Sequence, residues 1–182
     1  TEIEPAVFNQ ALIEPAKLPL FAEIQSRREL RRLELRFPMV NTAAQLANKP
    51  FNYVGHLLGH ESTGSLLSVL KQKGWAEELS AGVGDITASS TTFNVRIDLT
   101  PEGLKNWQAA AQLLFAHINL LKSEGVQPWL FEELKNSSAL SFLYAEKVSA
   151  SATAVQLAEQ LRYYPAANIL AGPYQLEAFN AE

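Results

Sequence analysis

Residues 91–99, "TTFNVRIDL", alternate without interruption: Phe93, Val95, Ile97 and Leu99 fall on one side, Thr92, Asn94, Arg96 and Asp98 on the other. Successive strand side chains point to opposite faces, so this run is satisfied only as a strand with one buried face and one wet face. A second alternation, Leu33, Leu35 and Phe37 against Arg32, Glu34 and Arg36, has the same form. Pro38 lacks the N–H that a ladder needs and is expected to stop it. The preceding "LPLFAEIQS" is expected as its hairpin partner. "WAEELSAG" at 75–82 reads as a shorter, mixed strand, with Gly82, Gly84 and Asp85 forming a turn or an irregular edge. An antiparallel hairpin between this strand and 91–99 is the simplest pairing.

A sheet with one apolar face needs a cover, and the later sequence supplies helices. "TPEGLKNWQAAAQLLFAHINLLKSEG" has Thr100 as N-cap, Pro101 at the first helical position and Gly125 as the stop. Leu104, Trp107, Ala111, Leu114, Ile118 and Leu121 would form its apolar face. Further helices are expected from Pro128, and over "SATAVQLAEQLRYY" up to Pro165. A shorter one, "STGSLLSVLKQKG", is capped near Ser62 or Thr63 and closed by Gly74. Trp107, Trp129, Phe131, Phe142 and Tyr144 stand at helical spacings and are expected in the core. Strands early and in the middle with helices gathered later predict an α+β fold, an antiparallel sheet covered on one side by helices. Residues 1–19, with Pro5, Pro15 and Pro19, read as a lead-in or linker, and 20–182 as one domain.

Composition adds mainly exclusions. A length of 182 residues suits one core, and a net charge of −4 is an ordinary soluble surface rather than a nucleic-acid footprint. No cysteine is present, so disulfides and thiolate metal ligands are ruled out. No apolar run approaches the roughly 20 residues needed to span a bilayer. The acidic start is unlike a signal peptide, and any export signal is expected outside this chain. No partner among nucleic acids or membranes is expected.

"GHLLGHES", residues 55–62, holds two of the three histidines. On a helix over 53–60, His56 and His60 lie about 40° apart around the axis and both rings could meet one metal. Metallopeptidase helices, however, place the general-base glutamate between the histidines. Here Leu57, Leu58 and Gly59 stand between them, and Glu61 is about 100° further round than His60. Glu132, Glu133 and Glu146 are the downstream carboxylates that could supply a third ligand. Against a stand-alone metalloenzyme stands a simpler reading, in which Gly55 and Gly59 let the helix pack closely and the histidines are partly buried. Nucleophile-elbow, phosphate-loop and dinucleotide fingerprints are absent. "RRELRR" is interrupted by glutamates and carries no interleaved aromatic platform.

The stretch "YVGHLLGHESTGSLLSVLKQKGWAEELSAG" resembles the second domain of insulysin- and pitrilysin-type zinc metallopeptidases, and "FNVRIDLTPEGLKNW" and "LRYYPAANILAG" continue the likeness. The resemblance implies a metallohydrolase-like (LuxS-type) α+β domain, one of four in a peptidase whose halves close around an unfolded peptide. In that family the zinc helix H-x-x-E-H lies in the first domain, and the motif is absent here. The implied role is therefore non-catalytic, with zinc in the parent enzyme, no cofactor in this domain, and sister domains as partners. For a bacterial parent it further implies the periplasm.

The resemblance also implies an exosite that holds the substrate's N-terminal segment. The positions matching its anchor are His56, Gly59 and Glu61 on the helix side and Leu79, Ala81 and Val83 along a strand. The family more often has glycine where Ala81 stands, a polar residue at Val83, and proline at Thr63. Two other roles remain open beside it: a purely structural docking domain, and the stand-alone metalloenzyme on His56 and His60.

Overall fold

In a computed structural model of the chain, residues 17–40, 49–86, 90–176 and 179 are described here. Residues 1–16 of the expected lead-in lie outside them. Three strands, β1 (Arg32–Val40), β2 (Ala76–Ile86) and β3 (Ser90–Leu99), form a sheet in the order β1-β3-β2. Both pairings are antiparallel, with Leu35 and Ala81 each opposite Val95. The helices are α1 (Pro50–Leu58), α2 (Leu66–Gln72), α3 (Pro101–Lys105), α4 (Trp107–Glu124), α5 (Pro128–Leu143) and α6 (Ala150–Gln160).

The alternating strand becomes the centre of the sheet. Phe93, Val95, Ile97 and Leu99 pack in one core with Leu58 of α1, Leu66, Leu67 and Leu70 of α2, and Ala110 and Leu114 of α4. Val95, Ile97, Leu70 and Leu114 are fully buried, and each such side chain stabilises the fold by about 1.5–3 kcal/mol. Leu33, Leu35 and Phe37 of β1 pack against the same cluster. The α+β class and the helical cover follow as expected.

Several local expectations are corrected. Pro38 does not stop β1, which continues to Val40. β1 is an edge strand, where a missing N–H need not break a ladder. "LPLFAEIQS" forms no strand; Leu20, Phe21 and Ile24 are exposed, and β1 pairs with β3 instead. The irregular edge expected at Gly82 to Asp85 remains within β2, as a register shift between Val83 and Ile86.

The long helix divides at Asn106 into α3 and α4. Asn106 Nδ2 donates to the Glu102 carbonyl at 2.8 Å, while Thr100 Oγ1 both accepts from Gly103 N and donates to the Gly74 carbonyl. These bonds fix α3 to the turn before β2 and let α4 take its own direction over the core. Leu104, expected on the apolar face, is consequently 48% exposed. The cap of α2 is Ser65, not Ser62 or Thr63, and its hydroxyl accepts from Ser68 N at 3.1 Å. Of the aromatic residues expected inside, Phe131 is buried and Trp107 partly so, whereas Trp129, Phe142 and Tyr144 are exposed.

The other sheet face is charged where it is wet. Arg32 of β1 grips Asp98, its cross-strand partner, with Nε and Nη2 at 2.6 and 2.9 Å. The Arg32 hydrogen bond holds the Asp98 carboxyl below the usual carboxylate range, against a smaller opposing effect of burial. Glu34 accepts from Arg36 and Arg96 at 3.0 and 3.2 Å. Burial acts on Glu34 in the raising direction, and the two arginines together outweigh it, so its carboxyl also lies low.

Two outcomes follow from this packing. A Cβ on Gly103 would stand 1.8 Å from the Trp75 carbonyl oxygen, so Gly103→Ala is expected to destabilise the chain by about 1–3 kcal/mol in urea unfolding. Asp98→Asn is expected to cost about 0.5–1 kcal/mol, since both side chains keep partial contact with water and are screened. Asp98 has a depressed native pKa, so its contribution is present above the unfolded value of about 3.9 and is lost as pH falls through the native one. The stability gap between wild type and Asp98→Asn should therefore close below about pH 4.

Candidate functional site

β2 is paired with β3 along one side, and α1 packs against β2. What sets the distance between them is a glycine. A Cβ on Gly55 would lie 3.0 Å from the Ala81 carbonyl oxygen and 3.3 Å from the Gly82 Cα. Any larger residue would hold the helix off the strand, so the close packing expected of Gly55 is realised. Gly59 caps α1, its N–H donating to the Gly55 carbonyl at 2.8 Å, and the helix ends at Leu58. His60 and Glu61 thus stand on the loop after the helix rather than on it.

Between helix, loop and strand runs an open cleft of about 770 Å³. Phe51, Asn52, Gly55, His56, Gly59, His60, Glu61 and Ser62 form one wall, Leu79 to Gly82 the other, and Leu134 of α5 closes an end. Five of the six residues singled out in the sequence meet here: His56, Gly59, Glu61, Leu79 and Ala81. Leu79 is buried in the core, so what it offers the cleft is main chain. Val83 lies further along β2, outside the cleft lining. Glu61 is exposed, and among the described residues no hydrogen bond or ion pair occupies its carboxylate. The cleft therefore pairs a strand's backbone groups with an unused anionic side chain.

A second, smaller core braces the helix wall. Tyr53, Phe131 and Leu176 are buried together, with Leu57, Leu130 and Leu134 packed against them. The Tyr53 hydroxyl accepts from Gln127 N at 3.0 Å, tying the start of α5 to α1. Lys49, just before α1, donates from Nζ to the carbonyls of Gly172 and Gln175, which fastens the C-terminal turns to the same helix. Asn52 was missed in the sequence, although it stands four residues before His56 and so on the same helix face. Leu134 carried no local signal, since only the packing of α5 on α1 brings it to the cleft.

The histidine rings are 5.7 Å apart between centroids and tilted by 46°. Among the described residues, no group of three His, Cys, Asp or Glu side chains is placed to hold a metal ion. Among those residues the pair thus lacks the third ligand that a stand-alone metal site on His56 and His60 would need. Among the described residues, no helix is long and apolar enough to cross a membrane.

Comparison with known proteins decides the affiliation. The family described as the peptidase M16 inactive domain matches residues 2–138. This chain belongs to that family. The A-factor-processing enzyme of Saccharomyces cerevisiae is 35% identical over 170 residues, covering 92% of this chain and 17% of the yeast protein. Human insulin-degrading enzyme is 37% identical over 135 residues, 74% of this chain and 13% of the human one. Pitrilysin superposes with a TM-score of 0.80 at 25% identity, over 84% of this chain and 16% of that one. The chain thus spans less than a fifth of each of these proteins, and M16 membership is established for this part alone.

The helix-to-strand contact yields a test. Gly55→Ala puts a methyl group against strand backbone that has little freedom to yield. It is expected to cost about 1–3 kcal/mol of stability, read from denaturant midpoints. A gain in stability would contradict the close packing of α1 on β2.

Proposed function

We propose that this M16 inactive domain works as a peptide-anchoring, non-catalytic part of a zinc endopeptidase, holding the amino-terminal segment of a substrate away from the scissile bond. The observation that carries this reading is the cleft itself, in which the β2 segment and the exposed Glu61 line one space. An extended peptide would add to β2 by main-chain hydrogen bonds, and Glu61 would receive its terminal ammonium. Main-chain pairing is indifferent to sequence, so the mode suits a peptidase with varied substrates. It also survives alanine at position 81 and valine at 83, because a strand mainly offers backbone. In this reading zinc and the reacting groups belong to a sister domain, and this chain contributes part of the chamber wall.

Docking without peptide binding has its own support. Leu143 and Tyr144 at the end of α5 are 72% and 77% exposed, and Val155 on α6 is exposed as well. Such apolar side chains would be covered in an assembly of sister domains. The two readings separate by experiment: docking alone requires that Glu61→Gln alter nothing in peptide binding or cleavage.

Titration of the chain with short peptides should show binding weakened about 1.5- to fivefold by N-terminal acetylation, as expected for one solvent-exposed charge pair. Glu61→Gln should weaken the free-amine peptide by a similar factor and leave the acetylated one unchanged. Binding indifferent to both changes would exclude the anchoring role.

A further inference from the structure

A second cavity, of about 150 Å³, opens between the C-terminal turn of α1 and the beginning of α5. His56 and His60 line both this cavity and the main cleft, so the two spaces adjoin across the histidine pair. Its other walls are Leu57, Trp129, Leu130 and Glu133. Leu57 and Leu130 pack on the Tyr53–Phe131–Leu176 cluster, and the Gln127–Tyr53 hydrogen bond holds the start of α5 in place. The chamber is therefore built on braced elements. Trp129, two residues before the buried Phe131, remains 64% exposed.

The walls combine two aliphatic side chains, an indole, two imidazoles and a carboxylate, with no lysine or arginine among them. That combination matches a ligand with an apolar stem and a cationic head. A stem lies along leucines at low cost, a cation is attracted to an indole face, and a carboxylate accepts its hydrogen bonds. An acidic side chain would meet Glu133 with like charge, and an aliphatic one would gain nothing from the carboxylate. The volume suits one long side chain rather than a stretch of backbone. We propose that this chamber receives an arginine or lysine side chain near the amino end of the peptide held in the cleft. The inference rests on the anchoring role proposed above, and adds to it a preference for basic residues in the anchored segment.

The test uses labelled peptides in which a single arginine moves through the first four positions of an otherwise uncharged sequence, each made with a free and with an acetylated amine. Fluorescence polarisation with the chain should show arginine at one position binding about three- to tenfold tighter than alanine there. The gain should vanish in Glu133→Gln, shrink in Trp129→Ala, and persist in Glu61→Gln. All three substituted side chains are exposed, and circular dichroism confirms that the variants fold. Equal affinity at every position, or a gain untouched by both chamber variants, would overturn the proposal. Sensitivity to acetylation without any arginine preference would overturn the chamber and leave amine anchoring standing. An arginine preference that depends on Glu133 but ignores acetylation would support the chamber and overturn amine anchoring.

Discussion

The constraint on which the structure depends is the double pairing of β3. Its alternating side chains bury one face against the helices, and its backbone is hydrogen-bonded to β1 on one side and β2 on the other. With the centre taken, β1 and β2 are left as edges. Edge strands present unpaired backbone groups, and proteins usually blunt them. Here β1 carries Pro38 and charged side chains, whereas β2 is approached at Ala81 and Gly82 by a helix that has glycine at the contact. The two edges of one small sheet are thus treated differently.

That difference defines the cleft. α1 approaches closely enough to wall β2 in but leaves open space beside it, and the loop after Leu58 brings Glu61 to its mouth. The cleft does not stand alone, because the satellite core around Tyr53, Phe131 and Leu176 sets where α5 sits and so shapes the adjoining cavity. Lys49 joins the start of α1 to the C-terminal turns. Residues far apart in sequence therefore hold one wall together.

Much of the fold was legible in local patterns, because a half-buried strand needs strict alternation, and the two runs that alternate cleanly, 32–37 and 91–99, both became strands. Thr100, Pro101 and Gly125 marked helix ends for reasons that involve only neighbouring residues. What could not be read were choices made by tertiary context. Pro38 was tolerated because β1 lies at an edge, the helix broke at Asn106 because α3 is bound to the turn at Gly74, and Trp129 stayed outside because Phe131 took the buried position. For the candidate site, the helix-side positions His56, Gly59 and Glu61 and the strand positions Leu79 and Ala81 alike came from the resemblance, while the histidine spacing by itself had raised only the question of a metal. The contribution of α5 was invisible, since it depends on a contact between residues 53 and 131 that no local pattern encodes.

Amide hydrogen exchange of the chain, with and without a saturating free-amine peptide, tests the central claim most directly. An added strand on the β2 edge should slow exchange in the β2 segment around residues 79–83 and in the loop at 59–62, with little change on α6. Unchanged exchange in β2, or protection confined to the exposed apolar ends of α5 and α6, would contradict the account.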